Sequence, residues 1–181
     1  MAQADRSPGI RPRPTFRRRL DILARQAFPV ASTLSLMLLS DSPLGGPMLL
    51  SAVTMIAVFF WSVYRPGAMP PPAVFLLGLL FDLLGWLPVG DGVLTLLLVH
   101  GFCVRWGRFL VRQGFVLVWV VFAGFAGAAA ALIWAIAGLI TFRLLPVGPA
   151  VAEAMLTIVL YPALAIPLTA AHRTIADPER A

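Results

Sequence analysis

Asp82 and Glu153 are the only acids within or beside the long apolar runs of this sequence, and His100 stands inside one. A charged Asp at the centre of a helix in lipid costs about 2.5–3.5 kcal/mol on insertion scales. Such a residue is a binding or coupling group, or it hydrogen-bonds a neighbouring helix and fixes packing; the sequence leaves both open. Asp82 lies nine residues before Asp91 and His100 nine after it. A hairpin turning near residue 91 would bring the two to similar depth, where an Asp82–His100 pair would ease the burial of each. The alternative for His100 is a lone ring satisfied by a backbone carbonyl.

Other chemistry is poorly provided for. There is no nucleophile-elbow motif, no HExxH, no phosphate-binding glycine loop and no pair of carboxylates at a useful spacing. All 14 basic residues are Arg, so Schiff-base and Walker-type lysine chemistry is excluded. Cys103 is the single cysteine and sits in an apolar run. It reads as a small buried hydrophobe, with no cluster of Cys or His for zinc or iron–sulfur ligation. The expectation is a non-enzyme with no metal and no cofactor.

The elements that would position Asp82 and His100 follow from composition. Apolar residues make up 60% of the chain and charged residues 12%, against about 45–50% and about 25% in a soluble domain. The apolar residues come in long blocks, which makes lipid the solvent. We expect an all-α integral membrane protein of six transmembrane helices. Residues 1–21 form a cytoplasmic Arg/Pro-rich tail, 22–172 the transmembrane domain and 173–181 a second cytoplasmic tail.

The first helix spans roughly 22–40; a cleaved signal peptide competes, but no small-x-small site follows it. The second runs from about Pro47 to Val63, with Trp61 and Tyr64 expected at headgroup level. A proline-rich linker leads to the third, about 71–88, and the connection Val89-Gly90-Asp91-Gly92 follows. The fourth, about 93–104, extends toward Val111, with Arg105, Arg108 and Arg112 recurring at helical spacing against the anionic surface. The fifth covers about 115–142 and the sixth about 150–171.

Orientation follows from the arginines. Six crossings from a cytoplasmic N-terminus leave 13 Arg inside and only Arg143 outside. That asymmetry sets both ends in the cytoplasm. It also explains the net charge of +6 without nucleic acid, which is not expected as a partner; membrane lipids are. No internal repeat signals an inverted-repeat transporter.

Two faces stand out. Gly78, Asp82 and Gly85 recur on one side of the third helix, where glycines let another backbone approach. In the fifth helix Gly124, Ala128, Ala131, Ala135 and Gly138 form a stripe of small residues. That stripe is expected as a close-packing face, preferentially for a helix of the same chain.

The stretch FLLGLLFDLLGWLPVGDGVLTLLLV, residues 75–99, resembles the signature region of the rod shape-determining protein MreD family. That family has a Pro-containing link, a helix with Gly-Leu-x-x-Asp, and a Pro-Leu-Gly-like turn opening the next helix. Gly78-Leu79, Asp82-Leu83, Pro88-Val89-Gly90 and Leu94 hold those places here, with Val89 where the family usually has Leu. The motif covers about a seventh of the chain; the remainder is similar in hydropathy and size only.

The resemblance implies a non-catalytic protein of the bacterial inner membrane. Its partners would be the coiled-coil protein MreC, the RodA glycosyltransferase with its penicillin-binding transpeptidase and, directly or indirectly, MreB filaments. Its role in this elongasome would be regulating lateral peptidoglycan synthesis and cell shape. The family fold resembles the membrane substrate-binding component of energy-coupling-factor transporters, which implies a cavity. A small-molecule-binding transporter component is therefore the alternative, although the helices offer few polar groups beyond Asp82, His100, Ser51, Thr54, Thr95, Thr157 and Tyr161. A lipid-handling protein is weaker still, since Arg is absent from the span interiors.

Overall fold

The computed structural model describes residues 16–41, 46–85 and 89–176. They form six α-helices: α1 (Phe16–Ser40), α2 (Gly46–Tyr64), α3 (Pro71–Leu84), α4 (Asp91–Val111), α5 (Phe115–Thr141) and α6 (Gly148–Ala176). A short 3-10 turn, Pro66–Ala68, joins α2 to α3, and no strand occurs among the described residues. Four helices, α2, α4, α5 and α6, are long and apolar enough to cross a membrane, the mark of a multi-pass membrane protein.

Three boundaries differ from the sequence expectation, one being the end of α6, which runs on to Ala176, into the expected tail, rather than stopping near residue 171. Helix α1 starts at Phe16 rather than near residue 22, so the arginine run Arg17–Arg19 continues the helix instead of preceding it. Helix α3 ends at Leu84 and is only 14 residues long, about 21 Å at the helical rise. It opens on Pro71-Pro72, where the missing N–H groups are unpaired in any helix. Of the sequence expectations, residues 1–15 and 177–181 of the two tails and Pro88 of the motif lie outside the described residues.

Helix α2 is the axis of the bundle. It packs against α1, α3, α4 and α6, and 72% of its span is buried, against 22% for α5 and for α6. A helix apolar on every side belongs in such a place. Trp61 is fully buried there, edge-on to Phe28 and Phe60. It is a core residue, not the interfacial anchor expected, because neighbouring helices close over it. Phe59 of α2, Phe122 of α5 and Tyr161 of α6 make a second aromatic cluster, with Phe122 and Tyr161 stacked at 4.4 Å.

The helices alternate in direction, which gathers like ends together. At one end Arg65 donates to the Arg25 carbonyl (3.1 Å) and Gly107 lies against the Val63 carbonyl. His172 approaches the rings of Trp61 and Tyr64 at this same end. Arg105, Arg108 and Arg112 are exposed there. At the other end lie the N-termini of α2, α4 and α6, with Asp82, Asp91 and Glu153.

Candidate functional site

The α3–α4 connection is built around Asp82. Its side chain is 1% exposed, and its two carboxylate oxygens accept the N–H of Gly90 and the N–H of Gly92, each at 2.7 Å. The first N–H groups of a helix have no intrahelical acceptor. Asp82 supplies one from the preceding helix and places a negative charge at the positive end of α4. Gly90, at φ 110°, takes a conformation that side chains resist.

Glycine makes the clasp possible in two further places. A Cβ on Gly78 would stand 2.7 Å from the Cα of Val93, and one on Gly92 would stand 2.3 Å from Phe81 Cδ1 and 2.5 Å from Asp82 Oδ1. Gly78 is thus the point on α3 where the α4 backbone comes closest to a glycine Cα. Gly85 acts differently, as the C-cap of α3, its N–H donating to the Phe81 carbonyl. The sequence reading passed over Gly92; its one signal was a second glycine at the first turn of a helix.

The expected Asp82–His100 pair does not form. Ser62 Oγ and His100 Nδ1 share a hydrogen bond of 2.8 Å, its direction set by the ring tautomer, while Asp82 is engaged by backbone. Helix α4 turns Asp82's partners, at its N-terminus, away from His100, nearly three turns further on. Both His100 and Ser62 are buried, so the ring is satisfied by a hydroxyl of the central helix.

The small-residue stripe of α5 is also placed differently. The buried side of α5 is Val118, Phe122, Ala126 and Ala130, whereas Gly124, Ala128, Ala131 and Ala135 are exposed. Two residues along a helix is about 200° of rotation, so Phe122 in the core sends Gly124 outward. Gly138 sits apart from the stripe, at the end of α5, where its carbonyl accepts the Arg143 N–H.

The scattered polar residues of the helices converge. Ser51, Thr54, Thr95, Glu153 and Thr157 line one small cavity of about 30 Å³ between α2, α4, α5 and α6, beside Ala126, Ala129 and Ala130. Ser51 Oγ donates to Glu153 Oε1. Asp91, expected as a turn residue, is buried at 4% exposure one helical turn before Thr95. It was missed because a Gly-Asp-Gly run reads as a surface turn. Among the described residues no three His, Cys, Asp or Glu gather as a metal-ion set. Cys103 is fully buried.

No protein-family model, no curated protein and no solved structure matches this chain.

Proposed function

We propose that this chain is a non-enzymatic scaffold of the bacterial inner membrane that regulates lateral peptidoglycan synthesis and rod cell shape. Its partners in this reading are MreC, RodA with its penicillin-binding transpeptidase and, directly or indirectly, MreB filaments. The observation that carries the scaffold reading is the α5 stripe. Gly124, Ala128, Ala131 and Ala135 are the close-approach residues of a membrane helix, and the chain's own helices leave them exposed. The partners' identities rest on the resemblance of residues 75–99 to the MreD signature. Its key residue, Asp82, is committed to building a turn, a role that a scaffold needs and a catalyst does not.

In this reading all six helices cross the membrane and both termini are cytoplasmic. Arg25, Arg65, Arg105, Arg108 and Arg112 at one end of the bundle, with Arg143 at the other, support that orientation. Helix α1 carries charges in its first turns and α3 is short, so each crosses with the help of adjoining turns or local thinning of the bilayer. The likeness to energy-coupling-factor membrane components belongs to the same proposal. A transporter component would need a pocket of about 300–1,000 Å³ with convergent polar groups; the polar cavity is about 30 Å³, and the groove of about 480 Å³ between α5 and α6 is lined by apolar side chains and Trp134.

The test is a photo-crosslinking scan along α5 in growing cells, with deletion of the gene beside it. Capture of MreC at Ala128 or Ala131, and rounding of deletion cells, are the expected results. Normal rods with normal lateral wall synthesis would sink the proposal.

A further inference from the structure

The polar cavity has a chemical bias that its residue names alone do not reveal. Thr54 donates its hydroxyl proton to the Leu50 carbonyl (2.7 Å), Thr157 to the Glu153 carbonyl (2.8 Å) and Ser51 to the Glu153 carboxylate. Each hydroxyl has one proton, so what these three can still offer the cavity is lone pairs. Glu153 adds carboxylate oxygens. The cavity wall is therefore rich in acceptors and poor in donors.

Two further groups make the demand for positive charge explicit. Thr95 is 6% exposed, lines the cavity, and its Oγ1 has no hydrogen-bond partner among the described residues. Asp91 is 4% exposed, and both its carboxylate oxygens are buried without a hydrogen-bond partner among the described residues. It stands on the same face of α4 as Thr95, one turn earlier, within electrostatic range of Glu153 and Asp82. Buried charges in proteins are paired or coordinate an ion. The chain has no lysine, and among the described side chains the arginines lie at the opposite end of the bundle except Arg143, which is exposed.

We propose that this cavity, walled by Ser51, Thr54, Thr95, Glu153 and Thr157 with Asp91 beside it, is a sodium-binding site. Hard cations take oxygen ligands, and every polar atom on the wall is oxygen. Glu153 is the one carboxylate on the wall, among neutral hydroxyls, which suits a single positive charge, and the absence of any His or Cys there disfavours a transition metal. A cavity of about 30 Å³ holds about one water-sized body, which admits a small ion and excludes an organic ammonium. The bound ion would tie the N-termini of α2, α4 and α6 together. The site stands on these contacts and does not depend on the scaffold proposal.

The experiment follows the melting temperature of the full chain in detergent by tryptophan fluorescence, in sodium, potassium or choline chloride at equal ionic strength. Sodium is expected to raise the melting temperature by several degrees, saturably, because a ligand of the folded state alone stabilises it. Potassium should do less and choline nothing. Asp91→Asn and Glu153→Gln should each remove the sodium response, and Thr95→Val should shift it to higher concentration. Should either acid variant fail to fold, Thr95→Val and a calorimetric titration of the native chain with sodium chloride decide the matter. Equal melting in sodium and choline overturns the site, as does a sodium response that survives both acid substitutions.

Discussion

In the α3–α4 hairpin two helices meet at backbone distance, with Gly78 against the Val93 Cα and Gly92 against Phe81, and a buried carboxylate closes the turn. In the α5–α6 hairpin contact is made by large side chains. Trp119 Nε1 donates to the Ile158 carbonyl (3.0 Å), Trp134 Nε1 to the Leu145 carbonyl (3.1 Å), and Phe122 stacks on Tyr161. Its turn passes through Phe142 in the left-handed region at φ 50°, where glycine is usual. The first hairpin thus uses its small residues internally. The second is held by aromatics and keeps the stripe Gly124, Ala128, Ala131 and Ala135 outside. A small-residue face admits close helix approach in both cases, but only burial tells whether the approaching helix is present.

The sharpest way to break this comparison is at Asp82. Asp82→Ala removes two charge-assisted hydrogen bonds and strands the N–H groups of Gly90 and Gly92. Hydrogen bonds to charged groups contribute about 1.5–3 kcal/mol each, so a loss of about 3–6 kcal/mol is expected. Chemical unfolding in detergent should register it, along with poor accumulation in membranes. Asp82→Asn keeps an acceptor and should fall between. A native-like Asp82→Ala protein would mean that the clasp does not hold the hairpin.

The close approach itself comes next. Gly92→Ala and Gly78→Ala place a methyl group where Phe81 or the Val93 backbone already stands. Overpacking of this kind costs about 1–3 kcal/mol. The internal control is Gly101→Ala, whose added Cβ meets nothing within 4 Å and should leave the unfolding midpoint unchanged or raise it slightly, since alanine is the better helix former. Equal midpoints for all three would show that the two helices are less tightly apposed than their backbones indicate.

The helices were legible in the sequence to within a few residues because long apolar blocks separated by proline and glycine leave little choice. Asp82 was legible as an anomaly, since a carboxylate among leucines must be compensated. Its partner was not, because the compensation comes from backbone N–H groups, and every residue carries one of those. His100 illustrates the same blindness from the other side. A hydroxyl on the central helix, Ser62, satisfies it, and nothing in a run of apolar residues marks which serine will face which ring. The register of α5 was illegible for a related reason: an almost wholly apolar helix has no polar side to point outward. Its rotation is decided by where Phe122 fits between Phe59 and Tyr161.

A smaller effect separates the two histidine accounts. Ser62→Ala removes one buried hydrogen bond, about 1 kcal/mol, and a double-mutant cycle with His100→Ala should return most of that as coupling. The corresponding cycle between Asp82 and His100 should return almost none, since each has its own partner. Strong coupling between Asp82 and His100 would restore the pair that the hairpin geometry disfavours.

The smallest effect on folding is expected where the largest effect on function is proposed. Ala128→Leu enlarges an exposed position on α5, and substitutions away from packed features usually change stability by less than about 0.5 kcal/mol. The unfolding midpoint should therefore stay at the native value while co-purification of the partner drops, because a leucine holds an approaching helix away from the α5 backbone. Ala126→Leu, two residues earlier, is the counter-experiment: Ala126 is buried, so the same added volume should destabilise the chain. If Ala128→Leu lowers stability as much as Ala126→Leu, the stripe is packed within the chain. If both partner recovery and stability are untouched, the stripe faces lipid alone and the second hairpin has no docking face.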